Sequence, residues 1–375
     1  MKLVFASDSF KGSLTSNDIN GILTEKAVKI FGEDVKTESF LIADGGEGTL
    51  DALISQKQGD IIYKTVNDPL FRPIKSRYGV FGNTAIISMN EASGLPILKP
   101  EERNPLFTTT FGTGELILDA LDKGYKNLII TIGGSATNDG GIGALTALGA
   151  KFILKDGKVA KGIGIELEEI VDIDLTNLID FSMVNVTVLS DVTNPLLGEK
   201  GASRVFAKQK GADKQMIERL EKGMTNYAKV VEKTFNKPCD FEGAGGAGGL
   251  GFALKTYLGA VMRSGIEVVL DLIDFDEKIK CADLVITGEG RIDSQSVDGK
   301  VISGILKRTT KQNIPTIAIV GSVGVGAEKA YELGLSGIYS LIDKPSNLEQ
   351  ILIDSKDLYG KIAESVFRTI KSIKM

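Results

Sequence analysis

A chain of 375 residues with neither histidine nor tryptophan rules out a Ser-His-Asp triad, a His-containing zinc site and imidazole proton transfer, leaving Asp, Glu, Lys, Tyr or Cys for any proton relay. A net charge of -5 argues against a nucleic-acid surface, and Cys239 and Cys281, far apart and outside any Cys-x-x-Cys, supply no disulfide or metal framework. The length points to two domains and the composition to a cytoplasmic protein, with no apolar stretch near the ~20 residues of a membrane span.

Short apolar, β-rich runs alternate with helical periodicity, the pattern of βαβ units and a mostly parallel sheet. Lys2 to Ala6 reads as a buried strand that empties into Ser7-Asp8-Ser9-Phe10-Lys11-Gly12-Ser13. Thr15 and Asp18 then make a capping-box pattern, with Ile19, Ile22, Leu23, Ala27 and Ile30 at helical spacing. Leu41 to Ala43 is expected to end a second strand at Asp44, before a helix carrying Leu50, Leu53 and Ile54. From about residue 60 the rhythm changes. Ile61 to Val66, Ser76 to Phe81 and Thr84 to Met89, divided by Asn67-Asp68-Pro69 and Gly82-Asn83, predict antiparallel or mixed strands joined by turns. A helix start at Gly112-Thr113-Gly114, a strand Leu128 to Ile132 and a strand Val186 to Leu189 ending at Ser190-Asp191 follow. Ile217, Leu220, Met224, Tyr227 and Val231 share one face of a long helix. The first rhythm then returns with strands Leu284 to Thr287 and Thr316 to Val320, a helix from about Val301, and a last helix striped by Leu358, Ile362, Val366 and Ile370. The expected class is α/β. Residues 1–62 and 280–375 form a discontinuous domain on a mostly parallel, flavodoxin- or Rossmann-like sheet, and residues 63–279 an inserted mixed-sheet domain.

Three glycine-rich strings, Asp44-Gly45-Gly46-Glu47-Gly48-Thr49, Gly133 to Gly141 and Thr287-Gly288-Glu289-Gly290, each follow an apolar run and precede a helical pattern. Glycine lets backbone approach a ligand closely, and N–H groups opening a helix bind anions, so the strings imply a phosphate ligand. Their carboxylates would repel a bare phosphate and call for a metal ion between the two. A Walker A loop is absent: Gly299-Lys300 is followed by Val301, and no glycine stands at 294. Gly246-x-Gly248-x-x-Gly251 matches a dinucleotide fingerprint literally, but no strand precedes it, and close helix packing explains it better.

The segments Ala6-Ser7-Asp8-Ser9-Phe10-Lys11-Gly12, Ala43 to Thr49, Gly133 to Gly141, Ser190-Asp191-Val192-Thr193-Asn194-Pro195 and Ile286 to Asp293 resemble, in order, the motifs of the bacterial type-1 glycerate kinases. The resemblance spans essentially the whole chain. It implies ATP-dependent phosphorylation of glycerate with Mg²⁺, 2-phosphoglycerate favoured over 3-phosphoglycerate, in two α/β domains around an interdomain cleft. The implied partners are small molecules, glycerate and ATP, with no nucleic acid and no membrane; a homodimer stays open.

A loose phosphoryl-transfer transition state asks for positioning, cations on the equatorial oxygens, a metal-holding carboxylate and a group that orients the acceptor. Asp191 is the preferred acceptor-activating base, with Asn194 beside it to hold the substrate. Lys11 and Lys300 are candidate cations at strand-loop-helix junctions, and Asp8, inside the first motif, joins Lys11 and Asp191 as a catalytic candidate. Asp44 and Glu47 are expected to bind metal or substrate, although turn and capping roles suit them too. Gly133, Gly134, Ser135, Thr137 and Asn138 form the strongest phosphate cradle, joined by Gly288 and Gly290. Arg72 and Arg291 are the guanidinium candidates for the glycerate carboxylate. Ser9, lacking a histidine to activate it, is a substrate contact and no nucleophile. Two other classes compete: a pyridoxal-phosphate enzyme with Lys11 or Lys300 as its Schiff-base lysine, and a non-catalytic phosphoanion-binding protein.

Overall fold

The structure, a computed structural model, describes residues 1–46, 48–294, 296, 300–342, 344–345 and 347–374. It comprises two compact units, Met1–Asp44 with Ser264–Met375, and Gly45–Arg263.

The first unit is built on five strands in the order Gly337–Ser340, Thr316–Val320, Leu284–Gly288, Lys2–Ser7 and Lys36–Ser39, every adjacent pair parallel. Strands covered on both faces need continuous apolar runs, which Lys2–Ser7, Leu284–Gly288 and Thr316–Val320 supply almost without a solvent-facing residue. Lys36–Ser39, with no buried residue, takes the edge. The predicted second strand at Leu41 to Ala43 lies further on: pairing ends where Phe40 N–H donates to Phe5 O at 2.8 Å, and 41–43 leave the ladder on the way to Asp44. The chain steps from Lys2–Ser7 to one side and returns with Leu284–Gly288 on the other, so the strand order reverses between these two neighbours.

Ser16–Phe31 is the helix expected from the capping box: Thr15 Oγ1 accepts from Asp18 N–H, and the Asp18 carboxylate accepts from Thr15 N–H. The last helix, Leu348–Lys374, packs beside it. Its buried seam runs through Tyr359, Ala363, Val366 and Phe367, one residue on from most of the predicted stripe, and Leu358, Ile362 and Ile370 only flank it. Aromatic bulk explains the rotation. Phe367 meets Phe31 and Phe5 at centroid distances of 5.6 and 6.4 Å, and Tyr359 meets Phe10 at 5.7 Å.

The second unit carries the mixed sheet, ordered Val261–Arg263, Asn185–Leu189, Asn127–Thr131, Thr84–Ser88, Pro73–Phe81 and Asp60–Asn67. The first four strands are parallel and the last two antiparallel. Lys214–Phe235 is the long amphipathic helix, N-capped by Asp213, with Leu220, Met224, Tyr227 and Val231 buried and Ile217 at the margin. The Gly246–Gly251 string is a packing device. A Cβ on Gly248 would stand 2.2 Å from Thr137 O, and Gly140 N–H donates to Gly248 O at 2.9 Å. The glycines thus nest against the back of the Gly133 loop.

Candidate active site

Parallel sheets bind ligands beyond the carboxyl ends of their strands, at the point where strand order reverses. In the first unit that point lies between Lys2–Ser7, which ends in Asp8, and Leu284–Gly288, which ends in Glu289; the segment after the neighbouring Lys36–Ser39 strand supplies Asp44. Two adjacent strand ends and the segment that follows a third therefore supply three carboxylates. The two central ends are tightly joined: Asp8 N–H donates to Gly288 O at 2.9 Å, Thr287 Oγ1 donates to Ala6 O at 2.8 Å, and Gly321 N–H donates to Glu289 O at 3.2 Å. Gly288 is obligatory, since a Cβ there would sit 1.9 Å from Ile319 O.

Burial pushes the Asp8 carboxyl up to about 6, helped by Asp44 and opposed by the Ser9 N–H, which donates to Asp8 Oδ1 at 2.6 Å, and by Lys11. Burial likewise pushes Glu289 up to about 7, with Asp8 and Asp293 adding repulsion against the Ser296 hydroxyl and Lys300. Glu289 Oε1 is buried without a hydrogen-bond partner among the described residues. These groups line one cavity of ≈ 380 Å³ that takes in Asp8, Ser9, Lys11, Asp44, Glu289, Gly290, Arg291 and Lys300. Lys11 is exposed on the tight turn where Phe10 N–H donates to Leu14 O, and Lys300 precedes the helix Val301–Thr309. The Arg291 guanidinium, 65% exposed, has Asp293 at 3.3 Å.

In the second unit the strand ends carry the other predicted residues. Gly133 and Gly134 are exposed after Asn127–Thr131, and Ser135 is buried. Leu95 N–H to Gly134 O at 2.8 Å and Ala136 N–H to Ser93 O at 2.9 Å clamp the loop. Thr137 and Asn138 lie beneath it, fully buried, with Asn138 Nδ2 donating to Ser203 Oγ at 3.0 Å. Asp139, also fully buried, accepts from Thr110 N–H (2.8 Å), Thr110 Oγ1 (2.7 Å), Gly141 N–H (3.1 Å) and Gly143 N–H (3.3 Å); burial pushes its carboxyl up against these four donors. Lys210 is fully enclosed as well, donating from Nζ to Thr137 O at 2.6 Å, and burial lowers its ammonium to about 7 despite Asp139. Asp191 is exposed just past Asn185–Leu189, and Asn194 Nδ2 donates to Lys200 O at 2.8 Å. Arg72 lies in the turn before Pro73–Phe81, its guanidinium already held by Asp68 and Glu102, both at 2.6 Å. Glu47 lies outside the described residues.

A model of the glycerate kinase family matches residues 3–371. The glycerate kinase of Bacillus subtilis (strain 168) is 41% identical over 380 residues, covering 100% of this chain and 99% of its own. The chain belongs to the glycerate kinase family. The glycerate 2-kinase of Escherichia coli (strain K12) is 40% identical over 375 residues, with 99% and 98% of the two chains covered. The crystal structure of a protein assigned as glycerate kinase 2 from Salmonella typhimurium LT2 superposes with a TM-score of 0.88 at 40% identity, covering 100% of this chain and 99% of that one. As a member of the glycerate kinase family the chain is a kinase, with the mixed α/β architecture that its residues predict. Among the described residues no helix is long and apolar enough to cross a membrane.

Two charged groups carry more weight in this glycerate kinase family member than their sequence context suggests. Glu289 has a legible signal, an acid between two glycines directly after a wholly buried strand. Lys210 has none: Lys208-Gln209-Lys210 reads as a solvated surface run.

Proposed function

We propose that the chain phosphorylates glycerate at the expense of ATP with Mg²⁺ as cofactor, giving 2-phosphoglycerate. The observation that carries this reading is the convergence of Asp8, Asp44 and Glu289 with Lys11 and Lys300 at the strand-order reversal of a parallel sheet. The relatives named glycerate kinase supply the acceptor, and the Escherichia coli relative named glycerate 2-kinase favours the 2-hydroxyl. Family membership leaves the pyridoxal-phosphate and non-catalytic readings without support.

The donor set fits a magnesium ion. Its ligands are hard oxygens, and Glu289 Oε1, buried with no hydrogen-bond partner among the described residues, is an acceptor that suits a cation. Among the described residues no group of three carboxylates forms a ready metal cage, which suits an ion that one or two carboxylates share with phosphate oxygens. Asp8 and Glu289 are the residues that would hold it, with Asp44 adding negative charge beside Asp8; when bound, it neutralises charge on the transferring phosphate. Lys11 and Lys300 place positive charge beside the phosphoryl oxygens. Arg291, exposed and with Asp293 3.3 Å away, suits the substrate carboxylate better than Arg72, which two carboxylates already grip. In the second unit, Asp191 orients the acceptor hydroxyl, Asn194 assists it, and the exposed backbone of Gly133 and Gly134 with Ser135 receives an anion. Thr137 and Asn138 support that loop from within. The test is ADP formation with glycerate, with and without excess EDTA, and NMR of the phosphorylated product. ADP formation that ignores glycerate, turnover that ignores EDTA, or a 3-phosphoglycerate product would each overturn the corresponding part.

A further inference from the structure

The cavity of the first unit is much larger than a three-carbon acid needs, and it is chemically divided. Its charged part lies over the ends of Lys2–Ser7 and Leu284–Gly288. Continuing along the same edge of the sheet, past Gly321 and Ser322 at the end of Thr316–Val320, the wall turns aliphatic. There Leu341 and Ile342, just after the strand Gly337–Ser340, face Leu348, Ile351 and Leu352 of the first turns of the last helix. Neighbouring strands lie ~4.8 Å apart, so three steps from Lys2–Ser7 to Gly337–Ser340 extend the cavity over roughly 14 Å.

Leu348 is 71% exposed and Ile342 45%, although both line a cavity. Exposed aliphatic groups that continue a charged cleft mark surface meant to be covered by a ligand. The hydroxyls and carboxylate of glycerate gain nothing from five aliphatic side chains. A nucleoside triphosphate matches the division, with polyanionic phosphates at one end and a flat, weakly polar base at the other. We propose, resting on the kinase reading above, that the first unit seats the nucleotide: phosphates beside Lys11 and Lys300, and the purine between Leu341–Ile342 and the Leu348, Ile351 and Leu352 face of the last helix. The helix that closes the core of this unit through Tyr359 and Phe367 thereby also supplies, from its first turns, the wall that recognises the base.

The chain contains no tryptophan, so Leu348→Trp installs a single indole at the proposed purine contact, at a position exposed enough to tolerate it. Saturating ADP with Mg²⁺ should change its fluorescence, whereas inorganic tripolyphosphate, which has the charge without the nucleoside, should not. The combined Leu348→Ser and Ile351→Ser variant should raise the KM for ATP about tenfold, by lost apolar burial, and leave the KM for glycerate within about two-fold. An indole blind to saturating ADP, or an ATP KM in the serine variant within about two-fold of the unaltered chain, overturns the assignment. Glycerate-dependent turnover of the unaltered chain is measured alongside. If it is absent while the indole still responds to ADP, the acceptor reading fails and the nucleoside seat stands.

Discussion

Lys210 lends itself to a quantitative test because it is enclosed on all sides, directly under the Gly133 loop, with one hydrogen bond to Thr137 O. Burial lowers its ammonium from 10.5 in the open chain to about 7 in the folded one. Between these values the unfolded chain binds one proton more than the native state, so stability rises with pH. The contribution of Lys210 is present in full above 10.5 and is lost as pH falls through about 7. Each pH unit inside the window corresponds to about 1.4 kcal/mol, so the unaltered chain should gain on the order of 2 to 3 kcal/mol on Lys210→Met between pH 7.5 and 9.5. The comparison is made by urea unfolding of both proteins across that range, where the difference between the two curves cancels groups common to both. The baseline offset, which mixes the lost hydrogen bond with relief of a buried charge, is not the quantity at issue; its slope is. Stability profiles that run parallel from pH 7.5 to 9.5 would show that Lys210 keeps its ordinary affinity for protons and would refute the argument from burial.

Asp191→Asn should lower kcat by roughly 10² to 10⁴ with the KM for ATP little changed, as expected for a group that orients the acceptor; near-normal kcat would remove Asp191 from that role. Glu289→Gln, which keeps the shape and removes the charge, should raise the Mg²⁺ concentration needed for half-maximal turnover, read from a magnesium titration; an unchanged requirement would count against Glu289 as a ligand. Gly288→Ala forces a Cβ to within 1.9 Å of Ile319 O, so unfolding should come at least about 1–3 kcal/mol earlier, with loss of activity, and a stable, active variant would contradict the observed register.

Much of the molecule is decided by short-range patterns that any reader of the chain can see. Thr15 and Asp18 cap a helix because their side chains reach backbone only three residues away, and Thr316–Val320 forms a strand as predicted because a run of five buried residues between a proline and a glycine has little alternative in a parallel sheet. The same locality made the glycine-rich strings and their carboxylates visible, and with them the family.

What the chain could not disclose is whatever depends on residues brought together from far apart. Leu41 to Ala43 are as apolar as a strand, yet they lie past the point where the neighbouring ladder ends at Phe5. The buried seam of the last helix is set by where Phe5, Phe10 and Phe31 stand, some 340 residues earlier, and the predicted stripe had no access to them. Thr137 and Asn138 read as phosphate donors in the sequence, whereas the fold buries both, with Gly248 packed close to Thr137 O, Lys210 Nζ donating to that carbonyl and Asn138 Nδ2 donating to Ser203 Oγ. Glu289 is legible in the sequence as an acid between two glycines, but its proton affinity is not. It binds its proton up to about 7 only because the tertiary fold sets its strand beside Lys2–Ser7, buries it, and brings Asp8 close enough to repel it. Hydrogen-bonding reach and side-chain periodicity are written locally, whereas strand order, desolvation and charge proximity are sums over the folded chain, and only the tertiary structure evaluates them.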